Sequence, residues 1–188
     1  MIAAEEEARA NFYGLLARLF YTPPDAALLR GISGEDLEGE LAQPWQELKA
    51  AAAAAQLETV REEYETAFVG TGKAPVTLYT TAYLVKYSNE APLAELRGEL
   101  ARLGLARRAE AREPEDHIAA LCDVMRHLVA RQNSALDEQR RFFSRWVAPA
   151  IDPLCGAIER SDKTAFYKPV ARFAKAFLTL ERLAFEML

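Results

Sequence analysis

The chain is poor in the residues on which disulfide-bonded or repetitive proteins depend. It has 2 cysteines, 9 glycines and 9 prolines among 188 residues. Cys122 and Cys155 cannot form a disulfide framework, and neither lies in a C-x-x-C pair that would suggest zinc binding or thiol exchange. So little glycine and proline excludes the collagen-like and low-complexity classes. We therefore expect an ordinary globular fold in a reducing compartment.

Long apolar runs and an excess of positive charge are also missing. No window approaches the roughly 18 apolar residues of a membrane span. The first residues include Glu5, Glu6 and Glu7, where a secretory signal carries positive charge. The formal net charge is -5, which disfavours a phosphate-backbone partner because nucleic-acid affinity depends on clustered Lys and Arg. We predict a cytoplasmic protein that does not insert into membranes or bind nucleic acid, and that favours basic ligands.

The hydrophobic pattern is that of helices. Hydrophobic residues make up 51% of the 188 residues, enough for one core, so we expect a single domain over residues 1–188. Apolar residues recur at three and four positions in nearly every segment, which predicts an all-α helical bundle. A loop is expected between Gly31 and Gly39, and an interruption near Pro149 and Pro153.

The sequence offers little for catalysis or for a metal. Its two histidines, His117 and His127, lack the Glu-x-x-His spacing of helical di-iron sites. Cys122 falls in an apolar helical stripe, where a buried hydrophobe is the favoured interpretation. Residues 70–73 resemble the end of a phosphate-binding loop, but Ala67 and Ala74 stand where that loop needs Gly and Ser or Thr. A flexible turn is favoured there, and we predict neither metal site nor enzyme.

One charged cluster admits two interpretations. It is Glu113-Pro114-Glu115-Asp116-His117, between an arginine-rich connector and a strongly apolar helix. Pro114 suits a first helical position, and the acidic residues suit the positive end of the helix dipole, so helix initiation explains the cluster. Alternatively, Asp116 and His117 face a groove and hold a cationic or polar ligand, with His117 able to change protonation near neutral pH.

The order of the segments resembles a known family over almost the whole chain. The cluster at 113–117, with Leu121 and Met125 downstream, is similar to the Glu-x-Pro-Asp-His hinge motif of the chaperones that mature molybdenum-containing oxidoreductases. This family includes the trimethylamine-oxide and dimethyl-sulfoxide reductase chaperones and the nitrate reductase delta-subunit relatives. The opening helix with its proline stop, the aromatic segment at 64–83 and the C-terminal half at 138–181 also resemble it.

The resemblance implies a redox enzyme maturation chaperone, which binds and does not catalyse. Its partner would be the catalytic subunit of a molybdoenzyme, held by an N-terminal, often twin-arginine, leader until the molybdopterin cofactor is inserted. The client would carry that cofactor, and the chaperone itself would need none, although a guanine nucleotide has been proposed as a ligand in this family. The residues expected in the peptide groove or hinge are Tyr64, Phe68, Tyr79, Tyr83, Glu113, Asp116, His117 and Met125.

Two alternatives stay open at this stage, as does the oligomeric state. The chain could be a nucleotide-binding or nucleotide-hydrolysing helical protein that uses residues 70–73, with Lys73 essential for turnover. It could also be a regulatory interaction bundle, which a molybdoenzyme operon in the gene neighbourhood would argue against. A hinge is expected at about 104–117, and since short hinges invite exchange of helices, either a monomer or a domain-swapped dimer fits.

Overall fold

The computed structural model describes residues 4–70, 74–84, 91–131 and 135–188. Within these ranges the chain forms α-helices and two short π-helices, and it contains no β-strand. The prediction of an all-α fold is confirmed. In chain order the elements are α1 (Ala4–Tyr21), α2 (Ala26–Gly34), α3 (Ala42–Ala54), α4 (Leu57–Tyr64), π1 (Glu65–Val69), α5 (Thr81–Leu84), α6 (Pro92–Arg102), α7 (Ile118–Ala130), α8 (Leu136–Phe142), π2 (Phe143–Val147), α9 (Ala148–Arg160) and α10 (Tyr167–Glu186).

The chain divides into two compact units. The first consists of Met1–Ala17 and Leu78–Ala150, and the second of Arg18–Thr77 and Ile151–Leu188. The single domain over 1–188 and the hinge at about 104–117 stay predictions.

The first unit is built around α7. Its apolar residues recur every three or four positions and fall on one stripe, in which Leu121, Cys122, Met125 and Leu128 have no exposed surface. Cys122 is therefore a core residue, as the pattern predicted. Aromatic side chains of α8 and π2 are equally buried in this unit: Phe142, Phe143 and Trp146.

The second unit has an aromatic core that also terminates α1. The hydroxyl of Tyr64 donates to the carbonyl oxygen of Phe20 at 2.9 Å, and that of Tyr167 donates to the carbonyl of Leu19 at 3.0 Å. These carbonyls lie in the last turn of α1, where intrahelical donors run out. Because Pro23 cannot continue the helix, the two tyrosines replace the missing donors while their rings fill the core.

A carboxylate from α4 caps the start of α10. The Glu63 side chain accepts from three consecutive backbone N–H groups, those of Ala165, Phe166 and Tyr167, at 2.8 to 3.0 Å. The first N–H groups of a helix have no partner inside it and form its positive end. Glu63 therefore satisfies them from a distant part of the sequence and adds a favourable charge.

One of the local predictions is wrong and another is wrong in part. The start of the loop expected at 31–39 is helical, because α2 runs on to Gly34, whereas residues 35–39 lie outside the helices as expected. Asp25 Oδ1 accepts from the backbone N–H of Leu28 at 2.7 Å and caps this helix, which buries Leu28, Leu29 and Ile32. The expected interruption near Pro149 and Pro153 is absent, since α9 is continuous over both prolines. α8, π2 and α9 follow one another without a break, and Pro149 comes two residues after the wider turn of π2.

Candidate functional site

The acidic motif is joined to the aromatic middle segment by one short antiparallel bridge in the first unit. The bridge pairs Tyr79 with His117. The backbone N–H of Thr80 donates to the carbonyl of Asp116 at 2.9 Å, and that of Ile118 donates to the carbonyl of Leu78 at 2.8 Å. We call the side chains that this pairing brings together the bridge site, consisting of Tyr79, Thr81, Glu113, Asp116 and His117.

His117 is both the end of the bridge and the N-cap of α7. Its backbone is extended, and its Nδ1 accepts from the N–H of Ala119 at 3.2 Å. An accepting Nδ1 carries no proton, so this bond requires the neutral ring with its proton on Nε2. The side chain is 3% exposed. Burial lowers the pKa of His117, and the charges of Glu113 and Asp116 act against that shift. His117 is therefore neutral at pH 7.

Asp116 is buried with half of its carboxylate unused. The residue is 4% exposed, and its Oδ2 accepts from the Thr81 hydroxyl. Within the part of the chain that the structure describes, its Oδ1 has no hydrogen-bond partner. Buried polar atoms are nearly always paired, and an unpaired one carries a desolvation cost. Oδ1 is itself buried, so an N–H donor from outside the chain would remove that cost once the side chains around it move apart.

Tyr79 forms the exposed wall of the site. It is 38% exposed, and its hydroxyl donates to Glu113 Oε2 at 2.6 Å. This hydrogen bond to a carboxylate, together with burial, raises the pKa of Tyr79 to about 12. The Tyr79 and His117 rings meet edge to face, with centroids 5.5 Å apart. The site thus offers an aromatic surface beside carboxylates, a combination that suits a guanidinium or ammonium group.

Arginines from the same unit hold the remainder of the acidic motif in place. Arg97 Nε donates to both carboxylate oxygens of Glu115 at 3.1 Å, and this contact lowers the pKa of Glu115. An Arg107 guanidinium nitrogen donates to the carbonyls of Ala111 and Glu113 at 3.2 and 3.3 Å. Glu115 is already paired, so the carboxylates of the motif with capacity for a ligand are those of Asp116 and Glu113.

The helix-initiation interpretation of the motif is corrected in one respect. α7 begins at Ile118, so Pro114 precedes the helix and does not occupy its first position. A turn, closed by the N–H of His117 donating to the carbonyl of Pro114 at 3.2 Å, leads into the cap. The cap itself is His117. The acidic side chains still lie before the positive end of the helix, as predicted from the dipole.

The structure brings together only some of the predicted site residues. Tyr79, Glu113, Asp116 and His117 form the bridge site, and Tyr83 lies half-buried on α5, which begins within the site. Met125 is buried in the core of the first unit. Tyr64 and Phe68 are buried in the second unit, where their rings pack edge to face at 5.3 Å. These last three residues are core residues in this structure and offer no groove surface.

Sequence reasoning missed Thr81 as a site residue. Its hydroxyl binds Asp116, which is 35 positions away in the chain. The residue type carries no signal of its own. Only its place two residues after Tyr79 in the aromatic segment could have drawn attention to it. The flexible turn expected at 70–73, and the nucleotide-binding alternative for the same segment, fall on residues 71–73, which lie outside the described residues.

The comparisons with known proteins agree on one family. A family model described as nitrate reductase delta subunit matches residues 35–156. The chaperone protein TorD of Aliivibrio fischeri is 31% identical over 141 residues, which are 68% of this chain and 64% of the relative. The TorD of Aliivibrio salmonicida is 32% identical over the same shares, and that of Photobacterium profundum is 28% identical over 61% of this chain and 58% of the relative.

The fold and the bridge site define an all-helical protein with a buried carboxylate site at the start of its core helix. The family match covers well over half of the chain, and the chain belongs to the nitrate reductase delta subunit family. The predicted resemblance is thereby confirmed. The matched relatives are named as chaperones, which agrees with the prediction that the chain is not an enzyme.

The chain spans 64% of the length of the first two relatives. No helix among the described residues is long and apolar enough to cross a membrane.

The depressed pKa of His117 predicts a pH-dependent stability. A histidine in the unfolded chain has a pKa of about 6.5. Between that value and the lower pKa of the folded state, the unfolded chain binds more protons, so the free energy of unfolding falls as the pH falls. We expect the melting temperature to fall on acidification from about pH 7.5 to about pH 5, and His117→Asn, which keeps a side-chain acceptor, to remove that component. Calorimetric melting at several pH values measures it.

The matched control is His127→Asn, at an exposed position on the same helix. The component assigned to His117 should persist in this variant, because the cap of α7 is unchanged. An unchanged pH dependence in His117→Asn would contradict the assignment.

Proposed function

We propose that this protein is a cytoplasmic chaperone that binds the N-terminal leader of a molybdoenzyme catalytic subunit and keeps the apoenzyme from export until its cofactor has been inserted. Membership of the nitrate reductase delta subunit family and the names of the matched relatives support the chaperone role. In this proposal the leader binds at the bridge site. The function is binding, with no chemical step by the chain itself.

The observation that carries this proposal is the Oδ1 atom of Asp116, which has no hydrogen-bond partner among the described residues. The carboxylate is 4% exposed, so this oxygen can accept a donor from a ligand once the side chains around it move. The donor that suits it is cationic, because a charged hydrogen bond is worth about 1.5–3 kcal/mol and roughly twice a neutral one. A leader that carries arginine supplies a forked guanidinium of this kind, and the exposed face of Tyr79 can stack on it.

The overall charge supports the same partner. A net charge of -5 attracts a basic segment and increases its rate of encounter. The apolar part of a leader can then lie as a helix against an apolar surface, which is a frequent mode of peptide recognition. A twin-arginine leader meets both requirements in one short sequence.

The remaining expectations belong to the same proposal. The molybdopterin cofactor is carried by the client, and the chaperone holds no metal or cofactor of its own. Neither nucleic acid nor a membrane is a partner. Binding of a guanine nucleotide, and the choice between a monomer and a domain-swapped dimer, stay predictions.

A calorimetric titration with a synthetic leader peptide tests the proposal. We expect saturable binding that weakens as salt increases, because the contact is ionic, and that is lost when the leader arginines are replaced by glutamine. A scrambled leader of the same composition serves as the control for charge alone. Equal affinity for the leader and its scrambled version would reject specific leader recognition.

A further inference from the structure

A cleft in the first unit shares no lining residue with the bridge site. Its volume is about 540 Å³, within the range of about 300–1,000 Å³ that is usual for binding sites. One wall is a face of α6 that includes Glu95, Glu99 and Arg102, and the other comes from α8 and π2. Positions 95, 99 and 102 are three and four apart, so they project from the same side of the helix.

The π-helical turn fixes the second wall. Trp146, in π2, is 1% exposed and donates its indole N–H to Glu99 Oε2 at 2.7 Å. Arg145 lies 5.2 Å from the centre of that ring and forms an ion pair with Glu95 at 2.5 Å. π-helical turns are rare and recur at functional sites. Both carboxylates of the cleft are therefore engaged by the opposite wall.

The arginines of the cleft outnumber these carboxylates. Arg141 also lines the cleft, and in the described ranges it has no hydrogen-bond or ion-pair partner. Arg102 meets Glu99 only at 3.8 Å, and its side chain is 76% exposed. Among the described residues that line the cleft, three guanidiniums and two carboxylates leave one net positive charge. Arg102 and Arg141 therefore have N–H donors that can bind a ligand.

Gly98 keeps the floor of the cleft open. It lies in the middle of α6, where glycine is less favourable than alanine by about 1 kcal/mol. A Cβ at this position would meet nothing within 4 Å, so packing inside the protein does not require glycine. The empty space above Gly98 is part of the cleft, and a ligand backbone can approach the helix closely there.

We propose that this cleft binds a short acidic segment of a partner protein, with an Asp or Glu carboxylate held between Arg102 and Arg141. The single excess charge matches one carboxylate. A phosphate dianion would be opposed by the two carboxylates that the cleft already holds. The wall from Glu95 to Arg102 is about 10 Å long, which accommodates roughly three residues of extended chain. This site is separate from the bridge side chains and takes the opposite charge.

The test is a fluorescence anisotropy titration of the full chain with a short labelled alanine peptide that carries a single glutamate and is capped at both ends. We expect saturable binding that disappears when glutamine replaces glutamate. The double variant Arg102→Gln/Arg141→Gln should weaken binding about tenfold or more, since it removes two charge-assisted contacts. The matched control is Arg108→Gln/Arg112→Gln, which makes the same change in net charge at exposed positions of the same unit and should leave the affinity within about twofold.

A second variant separates binding from folding. Gly98→Leu should fill the cleft and abolish binding, while the melting temperature stays equal or rises because leucine is the better helix former. Equal losses in the two arginine double variants, wild-type affinity in Gly98→Leu, or displacement of the peptide by equimolar inorganic phosphate would each overturn the proposal. The titration uses no leader, so its failure leaves leader binding at the bridge site untouched.

Discussion

Replacing Glu63 by alanine is expected to lower the melting temperature by about 5–10 °C. The carboxylate accepts from the N–H groups of Ala165, Phe166 and Tyr167, all within 3.0 Å. Alanine removes the charge and leaves these donors unpaired at a partly buried helix start, a loss of about 2–3 kcal/mol. For a chain of 188 residues, each kcal/mol corresponds to about 2–4 °C. Differential scanning calorimetry gives the value directly.

Two further substitutions, one at the neighbouring position and one at Glu63 itself, make this prediction specific. Glu62→Ala removes the same charge at the adjacent, exposed position and should change the melting temperature by less than about 2 °C. Glu63→Gln keeps an acceptor without the charge, so its effect should lie between those of the other two. If Glu63→Ala and Glu62→Ala had the same melting temperature, the cap on α10 would contribute nothing to stability.

Asp116→Asn is expected to weaken leader binding about tenfold or more without lowering stability. The asparagine keeps an oxygen for the Thr81 hydroxyl but loses the negative charge that a guanidinium requires. Because the wild-type Oδ1 is buried and has no partner in the part of the chain that the structure describes, neutralising the carboxylate removes a cost from the unbound protein. The melting temperature should therefore stay equal or rise while the affinity falls. Titration calorimetry and thermal melting of the same sample measure both.

The matched control for this variant is Asp123→Asn. Asp123 carries the same charge on α7, its side chain is 58% exposed, and it pairs only with Arg126 among the described residues. Its neutralisation should leave the affinity within about twofold. Equal losses in Asp116→Asn and Asp123→Asn would mean that the leader responds to general charge, and a lowered melting temperature in Asp116→Asn would mean that the carboxylate is structural.

The helices were predictable where one apolar stripe decides the structure. The stripe of α7 and that of α10 follow directly from their spacing, and both are buried. α2 was missed because Gly31 and Gly34 indicate a loop, whereas the cap from Asp25 and the burial of Leu29 and Ile32 outweigh those glycines. The weak preference of glycine for loops was overridden by tertiary packing. Such packing cannot be read from the pattern of one segment.

The candidate site was predictable only in part. The motif at 113–117 was visible locally, but its pairing with Tyr79 depends on two backbone hydrogen bonds between distant segments, and no periodicity reports such a contact. The sequence also does not tell which aromatic residues are buried and which are exposed. Tyr64 and Tyr79 are the same residue type in one aromatic segment, yet the first is 6% and the second 38% exposed. The surrounding fold decides that difference, and composition does not.

The most direct test of the proposed chaperone role is capture of the proposed client from a lysate of the native cells. A tagged chain should retain a molybdoenzyme catalytic subunit with its leader still attached, identified by mass spectrometry through peptides that cover the leader, and Asp116→Asn should retain less of it. Recovery of no molybdoenzyme subunit, or of the leader-free form in equal amount, would contradict a role in maturation before export.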